Sequence, residues 1–487
     1  MTSRPLLSAL SALALVALVA LVAGCGDGGS GDSSKSKRDN AASVSVPRAP
    51  GKAEQPPQGK GSKDPDDVNG DGYRDLLVPA YTSRDADTRD HEERIAVVYG
   101  SADGLNPVTR TVHGAKDLGL PEPPDDTSAP RGLSTENVVL ADLDGDGFSD
   151  VVTPVAGAQA SGGNVSGNRV LPHITWGGPQ GPRTGDHATP LPLPSEAGDL
   201  GLESVERGDF DGDGHHDLAG LSQDESGLVV MYGPFTRSGA PARSDSLPWT
   251  DGTLIADDID PSGEHRATSL LVQATNDGEQ STNTLHRATT GDGLATRGEK
   301  LRRGNAHAFG DFDGDRKRDL AVGDDGARND EPGYETESPQ VDGTLTIYPG
   351  NGTKPVHHQL PKAPKGAETG YGPGGFTAAD PDGDGRDGIL VATYEGATLI
   401  DGDQRVVVRR DVPARVDGEK IPGKRRHSRP AGAADFDQDG KDELIMHWAA
   451  DGLFHLYGEV PTHWWITKGT SATDTTSFAT TSFATGS

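Results

Sequence analysis

The chain carries a single cysteine, Cys25, among 487 residues. No disulfide can form within it, and a cysteine nucleophile or thiolate-bound zinc is excluded from everything that follows Cys25. Apolar residues are scarce, at 32%. Low apolar content with high charge can mark disorder. Here the apolar residues fall instead in short regular runs, which is the pattern of strands. No segment shows the 3.6-residue periodicity of an amphipathic helix. Positive charge is in deficit: 45 Lys and Arg against 75 Asp and Glu give a formal net charge of −30. That balance argues against nucleic acid and anionic membrane surfaces as partners, and suits cations or basic partners. Catalytic spacings are missing as well. There is no HExxH, no GxSxG and no Gly-Lys followed by Ser or Thr, so metalloprotease, hydrolase-elbow and P-loop chemistry have no sequence basis.

What the chain has in quantity is Gly, at 67, and an acidic motif. Residues 141–152 read ADLDGDGFSDVV, with Asp142, Asp144, Asp146 and Asp150 crowded together. The spacing recurs as DVNGDGYRD from Asp67, DFDGDGHHD from Asp209 and DFDGDRKRD from Asp311. Looser copies are DPDGDGRDG from Asp380 and DFDQDGKDE from Asp435, with a degenerate DIDPSGEHR from Asp258. A solvated acidic turn explains one copy but not a set in register, whose starts are spaced like successive supersecondary units. Side-chain oxygens at positions 1, 3, 5 and 9, with a backbone carbonyl at 7, can converge on one cation. Calcium takes six to eight oxygens in flexible geometry, whereas magnesium demands a rigid octahedron. These are not EF-hands, which need a Glu at position 12 and flanking helices. Position 12 is Val78, Thr153, Gly220, Val322, Val391 and Met446.

Each loop runs into a short apolar run: LLV at 76–78, VVT at 151–153, LAG at 218–220, LLV at 270–272, LAV at 320–322, ILV at 389–391 and LIM at 444–446. A second run then closes on an aromatic or Gly, as in IAVVYG at 95–100, LVVMYG at 228–233 and LFHLYG at 453–458. Weaker polar runs such as VTRTV at 108–112 and RVVVRR at 405–410 follow. The reading is all-β: seven repeats of about four strands, closed as a seven-bladed β-propeller with calcium-binding loops. Repeat one has no apolar strand before Asp67, so Ser43–Pro47 is expected to fill that place, and HWWIT at 463–467 to be the fourth strand of the last blade.

The small-D-x-D-G-D-G-x-x-D pattern, followed by a strand and YGSADGLNP at 99–107, resembles the FG-GAP or VCBS repeat of the integrin α propeller and many bacterial surface proteins. The resemblance spans about 66–467. It implies structural calcium, at about four to five sites. The implied ligands are Asp67, Asn69, Asp71 and Asp75; Asp142, Asp144, Asp146 and Asp150; and Asp209, Asp211, Asp213 and Asp217. They continue with Asp311, Asp313, Asp315 and Asp319; Asp380, Asp382 and Asp384; and Asp435, Asp437, Asp439 and Glu443. Arg316 replaces a Gly in the Asp311 loop, which weakens that expectation, and Gly388 stands at position 9 of the Asp380 loop. Arg266 falls at position 9 of the degenerate copy, where no ion is expected.

The N-terminus has one Arg before an apolar run from Leu6 to Val22, then Val-Ala-Gly-Cys ending at Cys25. This resembles the bacterial lipobox, which implies a signal peptide over 1–24 and a lipid on Cys25. The expected organisation is that signal, a flexible tether over 25–65, the propeller over 66–468 and a disordered low-complexity tail over 469–487. The implied function is a lipid-anchored binding or adhesion module on the outer face of the bacterial cell membrane. It would be monomeric and would recognise an extracellular protein or glycan, without nucleic acid. An extracellular hydrolase or polysaccharide lyase is the alternative.

Overall fold

A computed structural model of the chain describes residues 44–81, 93–122, 124, 133–162, 165–248, 251–274, 279–328, 336–362, 375–394, 396–449 and 462–484. Met1–Ser43 and Val44–Ser487 are separate units. The signal peptide and Cys25 belong to the first, which lies outside the described residues, as does the run expected at 453–458.

The second unit is a seven-bladed β-propeller of antiparallel sheets. Blade 1 holds Leu76–Tyr81, Glu93–Val98 and Arg110–His113. Blade 2 runs from Val139–Ala141 to Thr189–Pro190, and blade 3 from Leu202–Gly208 to Arg243–Leu247. Blade 4 spans Thr253–Ala256 to Glu299–Leu301, and blade 5 Ala306–Gly310 to Val356–Gln359. Blade 6 spans Phe376–Ala379 to Gln404–Val408, and blade 7 Arg429–Ala434 to Asp474–Ala479. Blades 2 to 7 each have four strands, and blade 1 has three.

The second strand of a blade is buried on both faces. Asp217–Ser222 and Gly388–Thr393 are buried at every position. A strand sandwiched between neighbouring blades reads as a continuous apolar run rather than an alternating one. The core is accordingly divided into seven clusters, and each joins two adjacent blades. Blades 1 and 2 share Ile95, Val97, Leu140 and Val151. Blades 3 and 4 share Ala219, Val230, Leu254 and Val272. The ring closes where Val78, Ala80, Ala96 and Val98 of blade 1 meet Ile445, Trp464, Ile466 and Phe478 of blade 7. Many small cores in series account for the modest apolar fraction.

Four expectations from the sequence differ from the structure. HWWIT at 463–467 is the third strand of blade 7, not the fourth, because Asp474–Ala479 pairs outside it. The region expected as a disordered tail therefore completes the sheet. Phe478 is fully buried, stacked on Trp464 at 6.4 Å and on Phe483 at 6.0 Å. Thr and Phe favour strands, and that preference prevails over the low complexity. Ser43–Pro47 is not the missing strand of blade 1, since residues 44–47 form no strand. The chain there runs instead along the outer edges of the closing seam. Arg48 O accepts Ala479 N at 3.0 Å, and Glu54 O accepts Arg110 N at 3.3 Å. The tether read over 25–65 is packed from residue 44 onward, held by backbone hydrogen bonds that composition does not reveal. Trp464 and Trp465 are both buried in blade 7.

First strands of successive blades lie against one another around the axis. Among the described residues blade 1 has none, and an ion-pair cluster stands at that place. Arg207 of blade 3 forks onto Asp66 at 2.7 and 2.9 Å and donates to Leu140 O at 2.9 Å. Arg74 binds Asp64 at 2.6 Å. Burial alone would raise the Asp66 carboxyl, but Arg207 and Arg74 outweigh it and hold the group near 2.

Candidate metal centres

In blades 2, 3, 5, 6 and 7 the acidic loop links the first strand to the second, and in blade 1 the Asp67 loop leads directly into Leu76–Tyr81. The position-1 carboxylate organises the turn by accepting N–H groups from positions 5 and 6. Asp209 accepts Asp213 N and Gly214 N at 3.0 and 3.1 Å, and Asp67 accepts Asp71 N and Gly72 N at 3.0 and 2.8 Å. The turn needs left-handed backbone at positions 4 and 6. Gly supplies it in most copies, but Arg316 (φ 65°) and Gln438 (φ 58°) adopt it with side chains, at a cost of about 1 kcal/mol each.

Five loops gather three carboxylates whose oxygens lie within 4.8 Å of one another: Asp142, Asp144 and Asp146; Asp209, Asp211 and Asp217; Asp311, Asp313 and Asp315; Asp380, Asp382 and Asp384; and Asp435, Asp437 and Glu443. The loops thus converge three acids at a time. Asp150, Asp213, Asp319 and Asp439 stand outside those triads. In the first loop Asn69 turns its amide nitrogen to Asp71 Oδ2 at 3.0 Å and to Pro57 O at 3.0 Å.

Position 9 has a second role that sequence reasoning missed. Its two carboxylate oxygens pin the loop to the end of the third strand. Asp217 accepts Phe210 N at 2.7 Å and Gly233 N at 2.8 Å. Asp75 accepts Val68 N and Gly100 N, Asp150 accepts Leu143 N and Gly177 N, and Asp319 accepts Phe312 N and Gly350 N. Position 8 was also passed over, yet it ties neighbouring blades together. His216 Nδ1 accepts Asp142 N at 2.8 Å, Asp387 Oδ2 accepts Asp311 N at 2.7 Å, and Asp442 Oδ2 accepts Asp380 N at 2.8 Å. Asp387 is therefore an inter-blade tie to the loop before it.

Three arginines reach the loops from elsewhere, one of them Arg183 at 3.6 Å from Asp146. Arg237 contacts Asp144 and Asp146 while lying 4.6 Å over Trp176. Arg243 binds Asp211 at 2.8 Å and lies 3.4 Å over Tyr232. No local sequence signal announces them, because the contacts are made across the fold.

The degenerate copy is longer than its sequence alignment implied. Ala256 pairs with Leu270, and Asp257 N donates to Ser269 O at 2.9 Å. Ser269 thus takes the place before the second strand, and Arg266 bends back onto Asp257 at 2.5 Å.

The donors are oxygen only, as a hard divalent cation requires. Asp142 Oδ1 and Asp211 Oδ1 are buried without a hydrogen-bond partner. A buried anionic oxygen without a partner is costly unless a cation meets it, so these loops fit calcium. Asp142, Asp144 and Asp146, and Asp209, Asp211 and Asp217, the triads that carry those two oxygens, would hold it. Burial also pushes the carboxyl groups up: Asp150 and Asp217 to about 8, Glu443 to about 7, and Asp67, Asp209 and Asp319 to about 6.

These shifts fix a pH dependence. Below about pH 6.5 a second set acts in the other direction. Burial depresses His113, His216, His307, His427 and His447, so their contribution to stability is lost on acidification. Above that pH the histidines are neutral in both states. Folded Asp150, Asp217 and Glu443 still hold protons that the unfolded chain has released, so stability without metal falls as pH rises from 7 to 9. Calcium, which needs ionised ligands, binds more tightly over the same interval. Melting at pH 7 and pH 9, with and without 2 mM calcium, should show a drop in the metal-free protein that calcium abolishes. A rise in the metal-free protein would contradict the assignment.

No protein-family model matches the sequence, and no curated protein aligns with it. Among solved structures, the V. cholerae biofilm matrix protein Bap1 aligns over 82% of this chain and 89% of its own, at 13% identity and a TM-score of 0.29. BBS1N, from its complex with ARL6DN soaked with lead, aligns over 65% and 89%, at 13% identity and a TM-score of 0.30. These likenesses are too slight to carry an argument about function.

Proposed function

We propose that the protein is an FG-GAP/VCBS-type propeller, stabilised by calcium and anchored through a lipid on Cys25. On this reading it acts as a monomeric binding or adhesion module for an extracellular protein or glycan at the outer face of the cell membrane. The observation that carries the calcium part is the convergence of three carboxylates in each of five loops, with Asp142 Oδ1 and Asp211 Oδ1 buried and unpartnered. Extracellular calcium, near 1 mM, would saturate sites with dissociation constants at the tight end of the extracellular range, near 10⁻⁴ M, and would half-fill those near 10⁻³ M. A binder is favoured over a hydrolase or lyase because the sequence carries none of the catalytic spacings sought.

The test is binding of the purified protein to arrayed extracellular proteins and to neutral and acidic glycans, in calcium and after chelation. Saturable binding to one class, lost on chelation together with the fold, is the expected result. Cleavage of a glycan without retention would overturn the reading in favour of an enzyme.

A further inference from the structure

The chain is strongly acidic, yet one cavity is basic. Between blades 4 and 5 lies a pocket of about 520 Å³, whose lining includes Arg266, Arg287, Arg316, Lys317 and Arg318 with the carboxylate of Asp257; Arg287 also pairs with Glu299, and Arg318 with Asp258 and Asp387, outside the lining. Leu285, Phe309 and Leu320 supply its apolar lining. The volume is that of a small-molecule site.

Two departures from the repeat meet there. The blade 4 loop is lengthened, has no acid at positions 5 and 9 of the motif as aligned from Asp258, and carries His265 and Arg266. The blade 5 loop replaces the usual Gly-x-x with Arg316-Lys317-Arg318. These changes lie on different blades, about 50 residues apart in the sequence, yet both place cations on one cavity. Arg266 and Arg318 share Asp257 at 2.5 and 2.9 Å, which fixes their guanidinium groups. Among the described residues no carboxylate lies within ion-pair distance of Arg316 or Lys317, and both are exposed. Arg316 holds its cation there from left-handed backbone that Gly would adopt freely. Structural economy does not explain that placement, whereas an anionic ligand does. Guanidinium groups grip carboxylate, sulfate and phosphate oxygens in pairs, and a charged concavity concentrates the opposite ion.

We infer that the blade 4–blade 5 pocket binds a small organic molecule of about one or two sugar units that bears two or more anionic groups. This names a ligand chemistry for the binding role above and rests on that role only for the existence of a ligand. If the pocket fails, an extracellular partner bound elsewhere is unaffected.

The experiment is calorimetric titration of the purified protein in 2 mM calcium with digalacturonate, a sulfated disaccharide and a hexose bisphosphate, with a neutral disaccharide as control. These arms separate carboxylate, sulfate and phosphate. At least one anion should bind, more weakly as salt is raised, while the neutral sugar should not bind. The double variant Arg316→Gly, Lys317→Ser restores the usual Gly at position 6 and removes both exposed cations. It should lose at least tenfold in affinity with no fall in melting temperature or calcium content, since Gly relieves the left-handed strain at position 316. No anion binding at millimolar concentration, equal affinity in the variant, or equal binding of the neutral sugar would each overturn the proposal.

Discussion

Asp217→Ala destabilises the propeller by roughly 2–6 kcal/mol even without calcium, and by more in calcium, because Asp217 also belongs to a candidate metal triad. The side chain is fully buried, and its two oxygens accept Phe210 N and Gly233 N. Truncation leaves two buried N–H groups unpaired, each costing about 1–3 kcal/mol. The comparison is Asp213→Ala. Asp213 is exposed and stands outside the Asp209–Asp211–Asp217 triad. Its loss should register only as weaker calcium binding, with little change in the metal-free melting temperature. Denaturant unfolding of both variants, with and without calcium, separates the pinning role from ligation. Equal small effects for the two would show that the position-9 bonds contribute little.

Removal of calcium is the second large effect. With about 1 mM calcium and dissociation constants near 0.1 mM, each site adds roughly 1.4 kcal/mol. Four or five sites then add about 6–7 kcal/mol, comparable to the whole net stability of an ordinary domain. Chelation should lower the melting point by many degrees, and added calcium should restore it. The sites are not equivalent. Arg237 on Asp144 and Asp146, and Arg243 on Asp211, already neutralise part of two loops.

Much of the fold is legible in the sequence for a physical reason. Second strands such as Asp217–Ser222 are buried on both faces, so their apolar runs stand out from a polar chain. The acidic loops announce themselves because Gly and Asp alternate where the backbone must turn left-handed. What escaped notice depends on contacts that pattern does not encode. The segment from residue 44 is held by backbone groups such as Arg48 O and Glu54 O, which any residue type supplies. Asp474–Ala479 looked like low complexity because its Thr and Ser carry no apolar alternation, although Phe478 seals the closing seam. Position 9 read simply as a ligand, because its second oxygen and its distant Gly partner are invisible until the third strand is in place. His216 and Asp387 at position 8 gain meaning only when the neighbouring blade lies beside them.

The account stands or falls on the number of calcium ions bound. Native mass spectrometry of the purified protein, paired with calorimetric calcium titration, counts them. Four or five ions per chain, with a melting temperature that follows their occupancy, is the predicted result. A chain that binds no calcium, and melts identically with and without it, would contradict the central claim and leave the acidic loops as hydrogen-bonded turns.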